Sequence, residues 1–260
     1  MIKTKIAENI NKIKNKNIDI KEARSKDTVL WPSFDDVIGA PGNRRLLAGN
    51  MQAGWFGEVP ASEFITGDAL ASILGITAGT SQYSNEPWLK FAYKGSVLLV
   101  SKKPFRYKIS WDNINAANCV YGDKTIEISS RKYQVMLMRG IGEDVHSNPK
   151  TFYQPYNGAA NHQSMWNMLM LPIHQKAPSS WAYPYNVKSP TENWNVGYTD
   201  ADLITHISGG DGSHSWCQDT TYQNNCRSLR GGGGVSSADA IHSDSFYDYC
   251  GWRPCLKLIG

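Results

Sequence analysis

The chain has 260 residues, 41% of them hydrophobic, enough for one sizeable core plus an appendage. Its 27 basic and 23 acidic side chains leave a formal charge of +4. The excess sits in lysines that alternate with Ile and Asn, which fits a solvated helix face and excludes a nucleic-acid footprint. No apolar stretch is long enough to span a membrane and no signal peptide opens the chain, so we expect no membrane insertion and synthesis in a reducing cytosol.

Ile2, Ile6, Ile10 and Ile13 recur at helical spacing and make one narrow apolar stripe, which ends near Lys16 because Ile18 and Ile20 break the period. Such a stripe suits a short coiled-coil seam, a helix docked on another protein, or a helix lying on its own domain. Residues 1–38 therefore read as an N-terminal helix and linker, an arm for attachment or oligomerisation. Residues 39–260 form the main domain with its lead-in, opening on the turn cluster Gly39-Ala40-Pro41-Gly42-Asn43.

Glu63 to Ile76 reads as a helix interrupted or capped by its glycines. Trp88 to Val100 predicts two strands joined by a tight turn at Lys94-Gly95-Ser96. Ser110 is placed as the cap of a short helix running to Ala117. After Gly122-Asp123-Lys124 come a strand over Thr125 to Ile128 and a buried strand over Tyr133 to Gly140. Asn161 to Met170 predicts a buried helix ended by Pro172, its Met stripe belonging to the core. Ala177 to Pro190 is a loop, and Ser208 to Ser213 a Gly-rich turn.

Gly231 to Gly234 lose too much backbone entropy to lie inside a helix or strand, and so mark a bend with positive φ or close backbone approach. The run from Trp252 to Leu258 alternates apolar with polar residues and predicts one half-buried terminal strand. Between bend and strand lies a loop held at both ends and rich in Ser, Asp, His and aromatic residues, a composition that suits recognition.

The Gly-rich runs lack the Gly-Lys-Ser/Thr that reaches phosphates, and no Gly-x-Gly-x-x-Gly opens a helix after a strand. Asp200, Asp202, Asp211 and Asp219 lie close in sequence but match no EF-hand loop, leaving a structural calcium ion open and no other cofactor indicated. The six histidines form no metal or catalytic motif, and no Gly-x-Ser-x-Gly elbow supports a serine nucleophile. Five cysteines, Cys119, Cys217, Cys226, Cys250 and Cys255, include no Cys-x-x-Cys pair, so thiols are expected, with Cys217–Cys226 and Cys250–Cys255 as alternative pairings.

An Arg-Gly-Gly turn at Arg230, an irregular polar stretch, then Gly251-Trp252-Arg253-Pro254 and a terminal strand resemble the C-type-lectin-like fold in its formylglycine-generating-enzyme-like branch. The likeness covers about Trp88 to Ile259 and is strongest to the variant found in tailed-bacteriophage virion proteins. Trp88 to Ala117 resembles segments of those proteins, and the N-terminal stretch resembles the attachment region of tail-associated ones. The branch's oxidase uses paired cysteines to bind copper; the contexts of Cys250 and Cys255 do not match them. The Glu-Pro-Asn or Gln-Pro-Asp and Trp-Asn-Asp triplets of calcium-bridged sugar binding are absent.

The expected fold class is α+β, a strand-rich C-type-lectin-like domain with an N-terminal helical attachment arm. The resemblance implies a non-enzymatic virion component, on a tail fibre, baseplate or head, made in the host cytoplasm, that binds a host surface glycan or protein. Other virion proteins are the further partners, and a homo-oligomer, trimeric in many tail appendages, is expected. Trp216, Tyr222, Asp239, His242, Asp244, Phe246 and Tyr247 are the candidate binding residues, with neither catalytic nor metal-ligating residues assigned. A purely structural virion protein, and an oxidase or polysaccharide depolymerase, are the alternatives.

Overall fold

The computed structural model describes residues 39–140, 164–175, 193–205, 210–221 and 225–260, together with the backbone of 23–25 and 28–31. The helix expected over Met1 to Lys16, the loop from Ala177 to Pro190, and Tyr222 lie outside the described residues. Within the stretch read as linker, Ala23–Ser25 (β1) and Thr28–Trp31 (β2) pair as an antiparallel hairpin.

A seven-stranded antiparallel sheet forms the centre. Its order is Ala48–Gly49 (β3), Ala53–Val59 (β4), Trp88–Tyr93 (β6), Ser96–Ser101 (β7), Cys255–Leu258 (β15), Arg131–Met136 (β10) and Tyr121–Ile128 (β9). The expected hairpin at Lys94-Gly95 is present. Both residues have positive φ, 48° and 77°, the geometry that matches the twist of the flanking strands. All six residues of β6 are buried, because both faces of this sheet are covered. Trp88 and Ala92 enter one apolar cluster with Val97, Leu99 and Leu256, while Leu89, Phe91 and Tyr93 enter another with Leu98, Val100 and Cys255.

A second sheet of six strands runs Ala238–His242 (β13), Cys226–Gly231 (β12), His214–Thr220 (β11), Cys250–Trp252 (β14), Arg106–Tyr107 (β8) and Thr80–Ser81 (β5). Only the β11–β14 pair is parallel. The single terminal strand expected from Trp252 to Leu258 is two strands. β14 belongs to the six-stranded sheet and β15 to the seven-stranded one, with Arg253-Pro254 between them. Pro254 has no N–H for a ladder, and its carbonyl instead accepts from Ser101 N at 3.1 Å. Nor is the run half-buried: Gly251 through Leu256 are buried without alternation, since different elements cover each side. Gly122, Asp123 and Lys124, expected to precede β9, lie within it, where Gly122 (φ 92°) accompanies a register shift against β10.

The α-helices among the described residues are Gly67–Leu74 (α1), Trp111–Ala116 (α2), Met165–Met170 (α3) and Asp200–Leu203 (α4); α3 packs on β4 and β6 of the central sheet, whereas Trp111 of α2 donates from Nε1 to Cys217 O on β11. The Ser110 side chain accepts from Asn113 N and completes a capping box on α2, as its place in the sequence predicted. The helix expected over Glu63 to Ile76 is confined to α1, between the Thr66 cap and the left-handed Gly75 (φ 71°). The molecule is thus a mostly-β α+β protein built on two sheets.

Candidate binding face

The two arginines of the sequence motifs are buried and hold the scaffold behind the loop. Arg230 Nε donates to Ser237 O (3.0 Å), Nη1 to Gly140 O (2.6 Å), and Nη2 to Asn167 Oδ1 (2.8 Å) and Ser236 O (3.2 Å). Arg253 Nε donates to Ser215 Oγ (3.0 Å), Nη1 to the carbonyls of Ser101 (3.1 Å) and Lys102 (2.6 Å), and Nη2 to Leu203 O. Burial pulls the Arg253 guanidinium down to about 9, so it is still charged at neutral pH. Both guanidiniums approach the Trp166 ring, at 5.5 and 5.3 Å from its centroid, and Trp166 Nε1 donates to Val235 O at 2.7 Å. A fully donating guanidinium suits this place because carbonyls are its main acceptors.

The glycine bend follows from close packing. Gly231 (φ 102°) and Gly232 (φ 80°) have positive φ; a Cβ on Gly231 would lie 2.4 Å from Ser213 O, and one on Gly232 2.4 Å from His214 Nε2. Beyond the bend, Val235 N donates to Asp200 Oδ1 (2.6 Å), which also lies 3.4 Å from His174 Nε2. The chain then returns along β13, the edge strand of its sheet. There Asp239 Oδ1 accepts from Ala240 N at 2.7 Å, so this carboxylate engages a backbone donor on an edge strand.

The loop from Ser243 to Tyr249 is anchored throughout by backbone bonds. Ser243 N donates to Asn225 O (2.7 Å), Asp112 N to Ser243 O (3.1 Å), Ser245 N to His242 O (3.0 Å), Cys250 N to Tyr247 O (2.9 Å), Gly212 N to Asp248 O (2.8 Å), and His214 N to Tyr249 O (2.9 Å). An ion pair joins Lys108 Nζ to Asp248 Oδ1 at 3.2 Å. On this frame Phe246 and Tyr247 are 63% and 57% exposed, far more than ordinary core formers tolerate. The Tyr247 and Tyr249 rings stack at 5.3 Å with 16° between planes, and Tyr249 lies 4.9 Å from the His214 ring. Burial raises the Tyr249 hydroxyl to about 12 and lowers His214, the latter opposed by the Asp239 charge, so Tyr249 is neutral at pH 7.

Asp239, His242, Asp244, Phe246 and Tyr247 therefore occupy one continuous segment, with His242, Asp244, Phe246 and Tyr247 exposed. Trp216 does not join them. It is buried in the core between the sheets, its Nε1 donating to Ile109 O at 2.8 Å, because both faces of β11 are covered: Ser215 to Asp219 are all buried, and Trp216 and Cys217 enter different apolar clusters. Tyr249, His214, Asn225 and Lys108 support the face but were not among the candidates. The alternation Tyr247-Asp248-Tyr249 is the one local sign of the ring stack; the other three come from distant segments and leave no sign in the loop's own sequence.

The four clustered aspartates have separate structural tasks. Asp200 holds Val235 N. Asp202 accepts from Thr199 at the start of α4, a pair of bonds that lowers its pKa. The carbonyl of Asp211 accepts from Thr205 Oγ1, and Asp219 is buried beside Arg139 and takes Gly140 N at 2.5 Å. Among the described residues no group of three or more His, Cys, Asp or Glu is placed to hold a metal ion. All five cysteines are free and buried, so neither alternative pairing forms. Cys250 and Cys255 stand on different sheets, and burial pushes each thiol up to about 12, the state of inert thiols. Compared with protein-family models, with curated proteins and with solved structures, the chain matches none.

Proposed function

We propose that this chain is a bacteriophage virion component with a C-type-lectin-like domain, which binds a molecule on the host cell surface noncovalently through the segment from Asp239 to Tyr249. The observation that carries the proposal is the pairing of two strongly exposed rings, Phe246 and Tyr247, with a loop backbone bonded to β11, α2 and the chain around Asn225 and Gly212. Aromatic residues on a fixed frame contribute contact area at low entropic cost, so their exposure is explained by a partner. The motif resemblance supplies the phage assignment. In this reading its two arginines stabilise the frame, and residues 1–38 attach the domain to other virion proteins or to further copies of itself.

Deleting the whole segment is a poor test, because it would remove most of β13 and with it the pairing of that edge strand to β12. The double substitution Phe246→Ala with Tyr247→Ala leaves those contacts in place. Particles carrying it are expected to assemble in normal number and to lose adsorption to host cells. Normal adsorption would refute the proposal, and failure of assembly with a folded chain would favour the purely structural role.

A further inference from the structure

We infer that the ligand of the Tyr247 face is an uncharged pyranose glycan, held by ring stacking and hydrogen bonds without a metal ion. This inference rests on the receptor-binding reading above and adds the chemical class of the ligand. Tyr247 is more than half exposed, yet its ring plane is set by the stack on Tyr249, whose carbonyl is held by His214 N. A pre-set aromatic plane in water suits the C–H face of a sugar ring, which is itself apolar and flat.

Polar groups elsewhere in the same segment suit hydroxyls of an extended glycan. Asn225 Nδ2 lies 2.9 Å from His242 Nδ1. An amide donor there assigns Nδ1 as acceptor, leaving the proton on Nε2 of this exposed imidazole. Asp244, also exposed, adds an acceptor, so a donor and an acceptor stand within the segment that bears the ring. A sugar hydroxyl uses both.

Charge narrows the class further. From Ser237 to Tyr249 the chain contains three aspartates and neither lysine nor arginine, and the neighbouring Lys108 is already paired with Asp248. A uronic or sulfated glycan would bring its anions to Asp244 without a free cation in the segment to meet them. Asp239 is bonded to Ala240 N and Asp248 is paired with Lys108, so these carboxylates do not converge on a cation site.

Saturation-transfer NMR on the purified full chain tests this. The probes are methyl glycosides and short oligomers of neutral hexoses and N-acetylhexosamines, set against uronic-acid oligomers of equal length, each with and without EDTA. We expect transfer to the ring C–H protons of a neutral sugar, unchanged by EDTA. Tyr247→Ala should weaken binding about threefold to tenfold, with Tyr247→Phe close to the parent. Silence from every neutral sugar, stronger binding of the uronic set, or loss with EDTA would overturn the inference. If the sugars are silent while the Phe246 and Tyr247 substitutions still abolish adsorption, the receptor reading stands and the ligand is a protein. If adsorption is untouched, the receptor reading itself falls.

Discussion

Arg230 and Arg253, which stand in the two separate motifs of the sequence, bring their guanidiniums to the same indole, 5.5 and 5.3 Å from the Trp166 ring. One arginine holds the returning chain after the glycine bend. The other holds the point at which the chain leaves the six-stranded sheet for the seven-stranded one. The loop between them is therefore bounded by two buried cations that share a packing surface.

Arg253 should resist its nominally conservative replacement. Four acceptors in three directions match a planar fork and not a single ammonium. Arg253→Lys should cost about 3 kcal/mol, because buried carbonyls lose their donors. Urea unfolding measures this, and a loss below about 1 kcal/mol would contradict the clamp.

At the bend, Gly232→Ala combines a left-handed φ of 80° with a Cβ 2.4 Å from His214 Nε2. Backbone strain alone costs about 1–2 kcal/mol, and displacement of the imidazole adds to it. The expected signature is a lowered melting temperature together with altered near-ultraviolet dichroism, since His214 packs on Tyr249.

Lys90 provides a pH test. It is buried inside β6, donates to the carbonyls of Pro41 (2.9 Å) and Asn43 (2.8 Å), and lies 5.1 Å from the Phe56 ring. Burial, aided by Arg44, lowers it from 10.5 to about 8. Between those values the unfolded chain holds the proton more firmly, so this group's contribution to stability rises with pH through the window, by at most about 1.4 kcal/mol per pH unit. Buried thiols raised to about 12 act in the opposite sense, so the parent must be compared with Lys90→Met. The parent should gain on the variant between about pH 8 and 10.5; a constant difference would refute the lowered lysine.

Core and face separate by stability. Trp216→Ala should cost about 3–5 kcal/mol, as large buried aromatics do. Phe246→Ala should stay within about 0.5 kcal/mol of the parent, since its ring is largely in water. Similar losses for the two would remove the distinction on which the candidate face depends.

The features readable from the residue order are local. The Lys94-Gly95 turn, the Ser110 cap and the glycine bend were all legible, because turn and cap chemistry acts over a few residues; the stretch read as one loop after the bend instead contains β13, whose pairing partner β12 precedes the bend. Alternation over Trp252 to Leu258 misled, because it predicts exposure only when one face of a strand is open. Here α3 and the second sheet, assembled from residues far apart in the chain, cover what the local pattern left free. The same limit concealed Trp216, the convergence of two arginines on Trp166, and the support of Tyr247 by Tyr249 and His214. Tertiary structure alone decided these, because burial belongs to whichever distant segments meet and not to the stretch that carries the side chain.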